Sequence, residues 1–426
     1  MLKELKKKTS FFKVYSLIMM IILLLNLSSC SFTSGNISSQ DLMKDIVAEQ
    51  VEEREVDNKF INVSTDFAIK LFKENISENK NSLISPLSVS IALTMTANGS
   101  NKQTRAQMEN LLCGDITLDN FNKYLYTYLN HLPTENKSKI NISNSIWFRD
   151  DENRLIVEQD FLQKNANYFK ADIYKSAFDG KTLKDINTWA NKKTEGMIDS
   201  ILEEINTDDV MYLINAVVFD AKWETEYNKK DITDDIFINI KNENKTVEMM
   251  CSKENLYINN QNCKGFIKPY KNNDYKFIAL LPAEDLDINE FISGLTGEYF
   301  LNLLENAEET LVTAYLPKFS NEYEISMNDS LSEMGIPDAF SPDNADFSKL
   351  GKSSYGNIYI GEVLHKTFIS VDEAGTKAGA ITKVTMKDES AALDEKVVKL
   401  NRPFVYAIID GETNIPIFIG TIVDFN

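Results

Sequence analysis

The segment 371–387 constrains this chain more than any other, because it is written as a strand with one buried face yet has little intrinsic drive to form one. Taking alternate residues, Thr376, Ala378, Ala380, Thr382, Val384 and Met386 are small, then apolar, and never charged. The intervening set, Gly375, Lys377, Gly379, Ile381, Lys383, Thr385 and Lys387, is one that solvent accepts. That alternation is the pattern of a half-buried strand. Glycines and small side chains keep its own strand preference weak. Residues 388–396 (Asp-Glu-Ser-Ala-Ala-Leu-Asp-Glu-Lys) then read as an exposed tip. A segment that fits a sheet without having to sit in one is what conditional strand insertion requires. An ordinary edge strand followed by a loop satisfies the same pattern.

The rest of the chain supplies the sheet. From about Phe60 onward, helical and strand signals alternate with no internal repeat and no linker, so the pattern predicts one large α+β domain over residues 60–426. Ser85 suits a helix N-cap, Pro86 the first helical position, and Asn98-Gly99 the exit. The interior between them is apolar nearly all round and is expected to be buried. Further helices are predicted over 103–112, 119–131, 158–169 and 183–195. Ile140, Ile142, Ile146 and Phe148 alternate with polar residues, and 210–219 is an almost continuous apolar run, as a central strand covered on both faces would be. Strands are also predicted over 277–281, 311–316, 358–371, 404–409 and 415–423, the last two joined by a turn at Asp410-Gly411-Glu412-Thr413.

The N-terminus reads differently. Five lysines before Val14 lead into an apolar run to Leu25, the length of a signal-peptide core. It ends in Leu27-Ser28-Ser29-Cys30, which resembles the bacterial lipobox and implies removal of residues 1–29 and acylation of Cys30. An ordinary signal peptide or a single anchor helix is the alternative. The implied location is extracytoplasmic, on the cell surface or membrane of a bacterium, with lipid as the only membrane attachment. Residues 30–59 then form either a solvated tether or, since Leu42, Met43, Ile46, Val47 and Val51 recur at helical spacing, a helix docked on the domain.

Several function classes are excluded. The formal charge of −19 leaves no basic footprint for nucleic acid. Two histidines, His131 and His365, leave little for a metal site or a catalytic triad. No nucleophile elbow, zinc-binding His-Glu-x-x-His pair, or phosphate- or dinucleotide-binding glycine loop is present. The sequence offers no catalyst and implies no cofactor. Of the remaining cysteines, Cys251 and Cys263 are the pair for which a bridge is conceivable; buried free thiols are the other reading.

The segment that opened this reading, Glu373-Ala374-Gly375-Thr376-Lys377-Ala378-Gly379-Ala380, resembles the hinge of inhibitory serpins. Other serpin-like motifs follow in serpin order: 81–88 (Asn-Ser-Leu-Ile-Ser-Pro-Leu-Ser), Leu213-Ile214-Asn215-Ala216 with Trp223, Leu316-Pro317-Lys318-Phe319, 334–340 (Met-Gly-Ile-Pro-Asp-Ala-Phe), His365-Lys366 and Arg402-Pro403-Phe404. The resemblance implies a single domain of three sheets and about nine helices, with an exposed reactive-centre loop at about 373–402. It implies a monomer that traps a target serine protease as a covalent acyl-enzyme when the cleaved loop inserts into the main sheet. By position, Glu373, Gly375, Thr376, Ala378, Gly379, Ala380 and Thr382 resemble the hinge, and Gly375 and Thr376 begin insertion. Lys318 resembles the partner of Glu373 beside Trp223, and Ser85, Ser88, Asn215 and His365 resemble the polar cluster that gates sheet opening. Lys377 departs from the acidic residue common at its position, but it lies in the solvent-facing set. The family's usual spacing puts the scissile bond at Glu389–Ser390; the stretch looks a few residues longer than usual, which leaves Ala391 and Ala392 as alternatives. A non-inhibitory serpin and a solute-binding lipoprotein are the rival readings.

Overall fold

A computed structural model describes residues 37–133, 138–150, 153–206, 208–376 and 396–425. Among them are nine α-helices and three sheets, of seven, nine and two strands. The two large sheets share one continuous apolar core.

At the centre of the seven-stranded sheet lies the apolar run expected there, now Met211–Lys222. Residues 211–219 are buried without interruption, as a strand covered on both faces must be. It pairs on one side, antiparallel, with Ser138–Arg149, which in turn pairs parallel with Asp172–Ser176. On the other side it meets Glu362–Val371, itself paired antiparallel with Phe319–Ser326.

Beneath the sheet runs the helix Pro86–Ala97, every residue of it buried. Proline sets the dihedral of its first turn, and at its end the Asn98 side chain donates to Thr94 O at 3.1 Å. Ser85 stands at its N-cap without a side-chain capping bond. The second large sheet includes the very apolar Tyr275–Pro282, Phe404–Asp410 and Pro416–Ile422, and carries Lys396–Lys399 at its far edge in parallel with Glu308–Pro317.

Residues 38–57 carry no helix, yet they lie along the domain instead of standing off it. Gln40–Asp41 adds a two-residue strand to Asp172–Ser176. One carboxylate oxygen, Asp185 Oδ2, accepts from the backbone and hydroxyl of both Ser38 and Ser39 at 2.7–2.9 Å. Leu42, Met43 and Ile46 pack on the core, and Arg54 N donates to Thr127 Oγ1 at 3.0 Å. Without a core-facing stripe long enough to repay helix nucleation, Leu42, Met43 and Ile46 are partly buried here by a strap, while Val47, of the same expected helical set, is 80% exposed.

Cys113 and Cys263 are buried thiols, and Cys251 is half-buried. A Cys251–Cys263 bridge is ruled out by register. Cys263 O accepts from Asn260 N, and Cys251 lies on the same strand as Asn259, eight residues earlier. At about 3.3 Å per residue the separation is some 25 Å, far beyond disulfide reach. Burial pushes the Cys263 thiol up to about 12.

Candidate functional site

The seven-stranded sheet is closed along half its length and wedged open along the rest. Met211–Lys222 and Glu362–Val371 pair directly, in parallel, from Tyr212 opposite Glu362 to Val217 opposite Thr367. Above that they separate, and Gly375–Thr376 sits between them, with Thr376 opposite both Ala221 and Val371 and Gly375 opposite Lys222. The two residues with which insertion was expected to begin are therefore already strand. Thr376 is fully buried and shares a hydrogen bond of 2.6 Å with the Tyr270 hydroxyl. Gly375 is dictated by space, since a Cβ there would stand 2.1 Å from Ala221 O.

A tight turn delivers these residues. Asp372 N donates to Gly375 O at 2.9 Å, and the Asp372 carboxylate accepts from Ala374 N and Gly375 N. Three successive carbonyls are held from the segment after the central strand. Trp223 Nε1 donates to Asp372 O (2.8 Å), Tyr227 N to Glu373 O (2.9 Å) and Trp223 N to Ala374 O (3.0 Å). The indole is buried and stacked on Tyr270, with ring centroids 4.4 Å apart. Above it, Lys318 Nζ lies 2.9 Å from Glu373 and 3.3 Å from Glu248. Burial works to discharge Lys318, but the Glu373 and Glu248 carboxylates outweigh it and hold its ammonium above the ordinary lysine range. The Lys318 hydrogen bond holds Glu373 below the usual carboxylate range.

The closed half rests on a second, wholly buried cluster. Ser85 N donates to His365 Nε2 at 3.0 Å, which leaves the ring proton on Nδ1, donated to Asn215 Oδ1 at 2.7 Å. Asn215 Nδ2 donates in turn to Ser88 Oγ and to Asn144 Oδ1. Asn215 and His365 are register partners on the two strands, so the cluster spans the line along which they would part. Burial pushes His365 down to about 3, and the ring is neutral. Thr367 Oγ1 extends the cluster to Leu83 O at 2.8 Å.

The expected positions thus fall into two groups on one line: Glu373, Gly375, Thr376, Trp223 and Lys318 at the wedge, and Ser85, Ser88, Asn215 and His365 below it. Sequence reasoning missed Asn144, Thr367, Tyr227 and Tyr270. Asn144 was visible as the one polar residue on the Ile140, Ile142, Ile146, Phe148 face. Ala378, Gly379, Ala380, Thr382, Glu389, Ser390, Ala391, Ala392 and Cys30 lie outside the described residues.

Comparison with known proteins agrees with this geometry. The family model described as serpin (serine protease inhibitor) matches residues 62–425. The leukocyte elastase inhibitor of Xenopus laevis is 31% identical over 379 residues, covering 84% of this chain and 97% of its own. Human Serpin B3 is 28% identical over 390 residues, covering 85% and 98%. The crystal structure of the thermophilic serpin Tengpin in its native state matches with a TM-score of 0.88 at 55% identity, covering 91% of this chain and 100% of that one. In its latent state Tengpin matches less well, at 0.79, with 54% identity and coverage of 88% and 100%. The chain belongs to the serpin family.

Proposed function

We propose that this serpin is a suicide inhibitor of a serine protease and works by extending the strand that Gly375–Thr376 has begun. The carrying observation is the register. Continued antiparallel from Thr376, the strand would bring Ala378 opposite Phe219 and Ile369, Ala380 opposite Val217 and Thr367, Thr382 between Asn215 and His365, and Met386 opposite Met211 and Gly361. Every second residue from Thr376 would then face the same side as buried Thr367, His365 and Val363, and those are the small or apolar ones. The charged residues Lys377, Lys383 and Lys387 would fall on the other face.

A protease attacks the loop as substrate, its serine forms an acyl bond to the residue before the cut, and the freed strand enters the sheet. With the cut at Glu389–Ser390, thirteen residues beyond Thr376, the acyl bond travels about 40 Å at strand rise. That displacement drags the tethered serine from its histidine and oxyanion hole before water completes hydrolysis. The protein acts as an inhibitor, not a catalyst, and its native state is a kinetic trap. Glu389 suits a glutamate-specific protease; Ser390, Ala391 or Ala392 suits an elastase-like or subtilisin-like one. The basic start, apolar run and lipobox-like Leu27–Cys30 support acylation at Cys30 and an extracytoplasmic, lipid-held location.

The test is incubation of residues 31–426 with elastase, subtilisin, chymotrypsin and a glutamyl endopeptidase, read by denaturing gel and mass spectrometry. A boiling-resistant band of summed mass is expected, with a released C-terminal peptide beginning at 390–393. Cleavage within 385–395 with no complex and no gain in heat stability identifies a non-inhibitory serpin instead.

A further inference from the structure

The segment that holds the hinge carbonyls is anchored by a pair of charges with no part in the mechanism above. Lys268, at the end of the strand Cys263–Pro269, and Glu254, in Asn244–Asn259, have side chains only 1% and 7% exposed and meet at 2.7 Å. The Lys268 ammonium also donates to Thr225 O at 3.2 Å. It lies 4.4 Å from the Tyr227 ring centroid and 5.3 Å from that of Trp223. Glu254 Oε1 accepts a second bond from Ser252 Oγ at 2.6 Å. Thr225 stands midway between the two residues whose backbone N–H groups grip Ala374 O and Glu373 O.

Stability alone does not account for this pair. Apolar residues of similar volume in place of a buried ion pair are often neutral or stabilising. What an ammonium does there, and an apolar group does not, is hold a backbone carbonyl and two ring faces together. The neighbouring contacts complete the clamp: Glu224 N donates to Pro269 O at 3.0 Å, and Trp223 bridges and stacks on Tyr270. On one side the 223–227 segment is fixed by the 268–270 corner. On the other it presents its three donors to the hinge.

We propose that Lys268, oriented by Glu254, is a positioning residue for the hinge, locking the 223–227 segment so that its donors keep the 372–374 turn in the register from which the strand grows. This rests on the inhibitory reading above. Insertion races hydrolysis of the acyl bond. A slack clamp lets the turn leave register, insertion starts late, and more inhibitor is cleaved without trapping its protease.

The experiment compares the full chain with Lys268→Met/Glu254→Leu, Glu254→Gln and Lys268→Arg. It reads amide hydrogen exchange across 223–227 and the number of inhibitor molecules consumed per protease trapped. In the double variant, exchange at Trp223 and Tyr227 is expected to quicken by about tenfold or more as local opening becomes easier. Inhibitor consumption is expected to rise several-fold, with unfolding temperature and the rate of first attack on the loop nearly unchanged. Lys268→Arg, which keeps the charge and donors, is expected to recover most of the loss. A folded double variant with unchanged partition overturns the proposal, whatever its exchange does. Should that variant not fold, the near-isosteric Glu254→Gln decides on the same two readouts, and no change in either overturns it. If the wild-type chain traps no protease, the inhibitory reading fails, and hydrogen exchange alone decides whether Lys268 positions the hinge.

Discussion

The two clusters along the central line of the sheet differ in how far solvent and salt reach into them. At the wedge, bonds from the buried Trp223, Tyr227 and Tyr270 to the 372–376 turn are flanked by part-exposed ions, Lys318, Glu373 and Glu248, whose attraction salt screens. Below, Ser85, Ser88, Asn144, Asn215 and His365 are neutral, buried and bonded to one another, out of reach of salt. On the inhibitory reading proposed above the wedge takes in residues one after another, and part-exposed ions at its rim can be exchanged without leaving a buried group unpaired. On the same reading the lower cluster would hold the strands until a new strand offered replacement bonds, and buried polar groups suit that task because leaving one unpaired is expensive. On that reading, readiness to open lies beside salt-sensitive contacts and resistance to opening in salt-insensitive ones.

The sharpest way to break the comparison is a charge at the wedge. Thr376→Arg puts an unpaired cation where the side chain is wholly buried, at several kcal/mol. The hinge should leave the sheet and complex formation should disappear on a denaturing gel, while cleavage of the loop continues. Next is Asn215→Ala, which strands the His365 proton and the Ser88 and Asn144 side chains; a loss of about 3 kcal/mol is expected from denaturant unfolding.

The third concerns acid. His365 titrates near 3 when folded and near its ordinary 6.5 when unfolded, so its full contribution is present above pH 6.5 and drains away as pH falls toward 3. The slope from this group is about 1.4 kcal/mol per pH unit. His365→Gln should flatten the acid limb of the stability curve by that amount. The smallest effect belongs to Lys318→Met, about 1 kcal/mol or less. Raising salt should shrink the gap between this variant and wild type, whereas the cost of Asn215→Ala should not respond to salt. Because the folded Lys318 pKa is raised, its contribution holds at neutral pH and is lost only as pH climbs through the lysine range.

How much of this was legible depended on whether the signal was local. The Ser85-Pro86 helix start and the apolar run at 211–219 are local patterns, and both are in the fold; of the alternation that begins at Thr376, the described residues include only Thr376 itself, buried as strand. Asn215 and His365 stood out only through family resemblance, since their partnership joins strands 150 residues apart. Lys268 and Glu254 were invisible: in a chain with 45 basic and 64 acidic residues, nothing local marks one pair as buried. Asn244–Asn259 went unread as a strand for a related reason, since Ser252, Lys253 and Glu254 interrupt its apolar positions. The strap misled in the other direction: its helical spacing is real, but Leu42, Met43 and Ile46 pack on the core from a non-helical segment, and Val47 points to solvent.

With Thr376 lodged between two strands, the parting of the sheet is a front with a position, like the slider of a zip parked one notch in. On the inhibitory reading, the front would first cross three positions where the strands are already apart, and from Val217 opposite Thr367 downward each further notch would separate one parallel pairing and close an antiparallel pairing on each flank, one local obstacle at a time. Speed is then set by the worst notch, not by the sum of all of them. On this line the worst notch would be Asn215 opposite His365, and on the inhibitory reading proposed above Thr382 would arrive there with a hydroxyl able to give and to receive.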